Sequence, residues 1–347
     1  MKKATWLASF LLLIILLIGC STSEETVTKK SIPLEERTVT PIAKETSTYV
    51  YPLTGEAIDE PSDQRVFAVM VNNHPKARPQ SGLHKADIVY EVLAEGNVTR
   101  FLALFQSELP EVVGPVRSSR DYFIDLNSGY HSFYVAHGYS PLAKQMLFDD
   151  KVTDHINGIQ YDGILFKRSS SRKAPHNSYI TYENIKKGAE MNGYSLTETV
   201  KPNSFLSSKQ ADELDGQQVS HITVHYGSTN TVKYEYDESS QKYIRYSDGV
   251  QTVDLEMKIP IELDNIFIVE APHRIIDDYG RRALDLEVGG KAYLLQRGIL
   301  QEISWKNLDG RIIPFKDNKV VPFVKGKTWI NIVPTSPGIG ESVDIVE

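Results

Sequence analysis

Between residues 72 and 177 the chain gathers side chains able to grip an anion: Asn72-Asn73-His74, Arg78, Arg117-Ser118-Ser119-Arg120, His137, Arg172 and His176-Asn177. Guanidinium forks bind carboxylate or phosphate through paired N–H groups. Arg117 and Arg120 stand three apart at an expected helix start, with Ser118 or Ser119 as N-cap, where free backbone N–H groups and the helix dipole also favour an anion. Asn72-Asn73-His74 ends the run VFAVMV, the arginines follow EVVGPV, and His137-Gly138 ends FYVA. Three strand exits carrying such groups would meet at one edge of a sheet. The expectation is an anion site built from Asn72, Asn73, His74, Arg78, Arg117, Ser118, Arg120, His137, Arg172, His176 and Asn177. The competing expectation is that Arg117 and Arg120 pair with Asp87, Glu91 or Glu95 and only hold loops in place.

A second chemistry is conceivable with the same residues. Ser118 or Ser119 as nucleophile and His137 or His176 as base would make a hydrolase or transferase acting on cell-wall material, provided the pair lies within hydrogen-bond reach. Other matches fail. Gly326-Lys327-Thr328 lacks the earlier glycine of a phosphate loop, because Val321 stands there, and Ser140 lacks the second glycine of a nucleophile elbow, because Leu142 does. His221 and His225 lie on an expected strand, roughly 13 Å apart, and cannot share one ion. No short ligand spacing supports a metal at His74, His137 and His176, and no cofactor is expected. Binding is therefore favoured over catalysis.

The elements that must position these residues follow from periodicity. VFAVMVN, ADIVYEVL, RFLALFQ and FYVAHGY read as strands. SSRDYFIDLNSGY, SPLAKQMLFDD and YENIKKGAEMNGY read as helices, the second opening with Ser140 before Pro141. Residues 51–205 thus read as an α/β or α+β domain. From 217 to 347 the chain is mainly β, with HITVHY, TVKYEY and KYIRYS alternating. Gly289-Gly290 is expected to join ALDLEV to KAYLLQ as a hairpin, and Asp309-Gly310 to join ISWKNL to RIIPF. Residues 201–218 are the expected junction between two folded bodies.

The N-terminus speaks to location. Lys2 and Lys3, then an apolar run from Phe10 to Ile18, form a secretory signal over 1–19 that is short for a membrane span. Leu17-Ile18-Gly19-Cys20 resembles the bacterial lipobox, which implies that Cys20, the chain's single cysteine, is acylated and becomes the mature N-terminus. Diacylglycerol and palmitate are the lipids this implies, and two or more chains anchor stably. The stretch to about residue 50, rich in Ser, Thr, Glu and Lys, reads as a tether spanning on the order of 30 Å. Without Lys2 and Lys3 the balance is 36 basic to 45 acidic residues, a net charge of −9, which argues against nucleic acid as a partner.

The stretches VMVNNHPKARPQSGLHKADIVYEVLAEGNVTRFLALF, GPVRSSRDYF, HGYSP and APHN resemble the YerB-type bacterial lipoproteins, a two-domain family of unknown function. The likeness runs from about Tyr51 to PFVKGKTWINIVP at 322–334. It implies a lipid-anchored protein on the extracytoplasmic face of a cell membrane, with an α/β-type domain before a β domain, and it implies no reaction. The reading is an envelope lipoprotein whose first domain binds an anionic cell-wall ligand or a partner protein.

Overall fold

The run VFAVMVN forms the strand Phe67–Asn72, buried at every position, so its sequence shows an unbroken apolar run and no alternation. Phe67, Val69 and Val71 enter one core cluster, and Ala68 and Met70 enter another. The computed structural model describes residues 49–347. The signal peptide, Cys20 and the tether up to Thr48 lie outside the described residues. Tyr49–Val50, placed in the tether by sequence, instead forms a short strand against Ala57–Ile58.

Phe67–Asn72 runs antiparallel to Val98–Phe105 and parallel to Phe133–Ala136. Val98–Phe105 pairs in turn with Ile88–Glu95. Ile88–Glu95 then pairs in parallel with Thr328–Pro334, with Ile88 opposite Thr328 and Val92 opposite Ile332. That contact joins strands from both halves of the chain into one 12-stranded sheet. The described residues, 49–347, fall within one compact unit; the segments on either side of the expected junction share a sheet and both core clusters. The first half mixes strands with helices and the second is mainly β, as its alternating runs imply. A six-stranded sheet containing His221–His225, Thr231–Asp237 and Lys242–Ser247 sends Ile222, Val224, Val232 and Tyr234 into the cluster that holds Phe101 and Trp329.

Helix Tyr182–Asn192 adds Ile185 and Ala189 to that same cluster. The other cluster receives helix Asp121–Ser128 through Tyr122, Phe123, Ile124 and Leu126. Ser140 caps helix Pro141–Lys144 as its sequence requires, its Oγ accepting from the Ala143 N–H.

Two local expectations are corrected. Arg117-Ser118-Ser119 does not open a helix: Arg120 is the cap residue, in extended conformation (φ −129, ψ 157), with no side-chain cap. Ser119 is held extended by a parallel bridge to Tyr139 and by its Oγ, 2.6 Å from the Tyr134 hydroxyl. Gly289-Gly290 makes no hairpin between ALDLEV and KAYLLQ. Gly290–Gln296 pairs with Asn265–Ala271 and Ile299–Leu308, while Arg282–Leu284 pairs with His273–Ile275. A Cβ at Gly290 would stand 2.8 Å from the Glu270 carbonyl oxygen and the Trp305 Nε1, so this glycine serves close strand packing. Asp309-Gly310 does turn between Ile299–Leu308 and Arg311–Lys316, with positive φ at both residues.

Candidate functional site

The end of Phe67–Asn72 sets the site. Asn72 is buried and orients two histidines at once: its Oδ1 accepts from the His74 backbone N–H at 3.0 Å, and its Nδ2 donates to His176 Nδ1 at 3.0 Å. His74 Nδ1 accepts from the Lys76 N–H at 3.1 Å, so both imidazoles use Nδ1 as acceptor. Each therefore carries its proton on Nε2, which is left as a donor. The rings stack with centroids 4.4 Å apart. Burial lowers the pKa of both, assisted at His74 by Lys76, Arg78 and Arg117 and at His176 by His74, Arg117, Lys76 and Arg172.

Arg117 is held beside them by its backbone N–H to Met70 O at 2.8 Å. Its guanidinium has no hydrogen bond or ion pair among the described residues, although it is half-buried. Burial and then Arg100 lower its pKa to about 10. No carboxylate offsets that shift.

Arg120 behaves differently. It forms an ion pair with Glu95 and donates to Ser119 O at 2.6 Å. Arg100, which sequence reading passed over inside VTRF, also grips Glu95, at 2.9 and 2.7 Å, and donates to Ser118 O at 2.6 Å. Arg120 is removed from the ligand set and assigned to loop support, because Glu95 on the hairpin between Ile88–Glu95 and Val98–Phe105 reaches it. Arg78 and Arg172 leave the set as well. Arg78 donates to Asn73 and pairs with Asp248, and Arg172 donates to Ala77 O, Pro79 O and the Tyr179 hydroxyl. Asn73 turns inward, donating to Glu91 and Thr99.

His137 stands on the other flank, its pKa lowered by burial and by Arg168. Arg168 Nη2 lies 2.9 Å from His137 Nε2, and Arg168 Nη1 donates to Asn177 Oδ1 at 3.2 Å. A guanidinium can only donate, so His137 Nε2 accepts and Nδ1 donates to Ser178 Oγ at 2.8 Å. That tautomer cannot take a proton from Ser178. Ser118 Oγ donates to the His137 carbonyl oxygen at 3.1 Å, and Ser119 Oγ meets Tyr134. Among the described residues neither serine faces an imidazole nitrogen, so the expected pairing of Ser118 or Ser119 with His137 or His176 is not formed. Arg168 was legible only as part of the basic run FKRSSSRK.

Residues 53–195 match the family described as "Protein of unknown function (DUF3048) N-terminal domain", and residues 222–330 match its C-terminal domain. YerB of Bacillus subtilis (strain 168), whose name describes it as a lipoprotein, is 53% identical over 287 residues, covering 82% of this chain and 86% of that protein. A crystal structure of the Bacillus subtilis YerB protein aligns with a TM-score of 0.80 at 49% identity, covering 86% of this chain and 100% of the other. The resemblance carried by VMVNNHPKARPQ, GPVRSSRDYF and APHN is borne out.

Proposed function

The chain belongs to the DUF3048 family, a family of unknown function, and we propose that the protein is a lipid-anchored, extracytoplasmic binding protein that captures an anionic group at Arg117. The observation that carries this reading is the half-buried Arg117 guanidinium, unpaired among the described residues, beside two imidazoles whose protons are fixed on Nε2 by Asn72 and the Lys76 backbone. Desolvating a cation without a counter-charge is unfavourable, and a carboxylate or phosphate supplies that charge together with acceptors for three sets of N–H groups. The anion belongs to a cell-envelope ligand or to a partner protein.

Anchoring rests on the signal and lipobox of residues 1–20 and on the lipoprotein name of the Bacillus relative. Among the described residues no helix is long and apolar enough to cross a membrane. Titrating inorganic phosphate while recording arginine Nε–H and histidine Nε2–H resonances tests the site. Shifts at Arg117, His74 and His176 with saturating behaviour support it. A titration in which those three stay fixed contradicts it.

A further inference from the structure

A cavity of about 400 Å³ with no Arg117, His74 or His176 in its lining lies where the turn after Ile88–Glu95 meets the second half of the chain. Its walls include Asn97, Tyr226, His273, Arg282, Glu341 and Ser342. Buried polar atoms are nearly always hydrogen-bonded, and an exception asks for a reason. Among the described residues eight buried side-chain atoms lack a partner, and two of them, His273 Nε2 and Arg282 Nε, belong to side chains that line this cavity. A third, Asn230 Oδ1, sits on the side chain whose Nδ2 donates to the Asn97 carbonyl oxygen at 2.9 Å.

The chemistry of the two wall atoms is opposite. His273 Nδ1 lies 2.8 Å from the Ala271 carbonyl oxygen, which can only accept, so Nδ1 carries the proton and Nε2 is a bare acceptor. Burial pushes the ring pKa down to about 4, with Arg282 adding to the shift, so His273 stays neutral at physiological pH. Arg282 donates Nη2 to Gly96 O at 2.8 Å and keeps its other N–H groups as donors. Glu341 adds a second acceptor, and Asn97 offers both kinds of group. Among the described residues no hydrogen bond to another residue engages the side chains of Asn97, Glu341 or Ser342. Arg282 and Glu341 bring opposite charges to the wall, which disfavours a strongly charged ligand. Leu93, Pro334 and Pro337 supply apolar surface between the polar groups.

We infer that this cavity is a second ligand site, separate from Arg117, and that it takes an uncharged polyhydroxylated molecule of the saccharide class. A hydroxyl both donates and accepts, so neighbouring hydroxyls of one sugar ring answer His273, Arg282 and Glu341 together, while the C–H face of the ring packs on Leu93 and the prolines. A carboxylate or phosphate meets Arg282 well but opposes Glu341 and offers nothing to the bare His273 acceptor. The volume falls within the range of small-molecule sites.

The experiment is calorimetric titration of the intact chain with chitotetraose, an uncharged oligosaccharide of N-acetylglucosamine, alongside the His273 Nε2 nitrogen resonance. Saturable binding is expected, weakened about tenfold or more in Glu341→Ala and in His273→Phe, with the Nε2 resonance moving as its lone pair gains a donor. Melting curves of both variants check that they fold, and Glu341→Ala, which removes no side-chain hydrogen bond among the described residues, carries the test if His273→Phe does not. Arg117→Ala must retain the oligosaccharide response, which keeps the two sites distinguishable. No binding at millimolar oligosaccharide, binding that ignores both substitutions, or a His273 response to inorganic phosphate in its place would each overturn the inference.

Discussion

Two arginines lie on either side of Asn72-Asn73 and live in opposite circumstances. Arg245, fully buried, meets Glu91 at 2.8 Å, and Glu91 also receives Asn73, Thr99 and the Trp329 indole. The Arg245 guanidinium further lies 4.5 Å from the Trp329 ring and donates to Ser247 and Thr252. Arg117 is half-buried and has none of this. The same backbone turn therefore touches a sealed ion pair through Asn73 and, through Asn72, orients a histidine that feels an unpaired cation. A buried charge with its partner inside the protein is architecture; one without is an invitation to a partner from outside.

The sharpest way to break this contrast is at the sealed pair. Arg245→Met leaves Glu91 buried without its counter-charge and is expected to lower unfolding stability by about 3 to 5 kcal/mol, read from urea denaturation. A loss under about 1 kcal/mol would mean that Glu91 reaches water, and the contrast would fail. Next comes Arg120→Ala, which takes one of two guanidiniums from the half-exposed Glu95 and is expected to cost about 1.5 to 3 kcal/mol by the same measurement. An Arg120 change as mild as an Arg117 change would erase the distinction drawn between them.

Acid sharpens the comparison further. The folded-state pKa values of His74, His137 and His176 lie below the ordinary 6.5. As pH falls through 6.5 the unfolded chain takes up protons first, so stability present above 6.5 declines as pH drops towards the folded values. Protonating His74 or His176 also requires the Nδ1 that now accepts a hydrogen bond. Affinity for sulfate, whose own charge is constant here, is therefore expected to stay flat between pH 8 and pH 6.5. Steady tightening across that window would show that the histidines bind as cations, contrary to the tautomers assigned.

Much of the framework was legible in the sequence. Ser140 before Pro141 announced its helix, and VFAVMVN announced its strand. The parallel pairing of Ile88–Glu95 with Thr328–Pro334 was not legible, because strands so distant in the chain leave no local pattern, and the single sheet followed from it. Within the site, residue types pointed to the right neighbourhood. They could not separate Arg117 from Arg120, three residues away, since only the position of Glu95 decides which is ion-paired. Nor could they show that Asn72 fixes two histidine tautomers, or that Arg168 disables His137 as a base, because both depend on which nitrogen faces which atom. The expected helix start failed where Ser119 found a tertiary partner in Tyr134, a contact stronger than its capping preference.

The central claim is that Arg117 awaits an external anion, and thermal melting of wild type and Arg117→Ala with and without sulfate tests it most directly. Without sulfate the two proteins should melt alike, within about 0.5 kcal/mol, since the substitution breaks no side-chain hydrogen bond or ion pair among the described residues. Sulfate should raise the melting temperature of wild type and leave that of Arg117→Ala unchanged, as binding to the folded state alone requires. A large loss of stability in sulfate-free Arg117→Ala, together with a wild type indifferent to sulfate, would contradict the account and make Arg117 a structural residue.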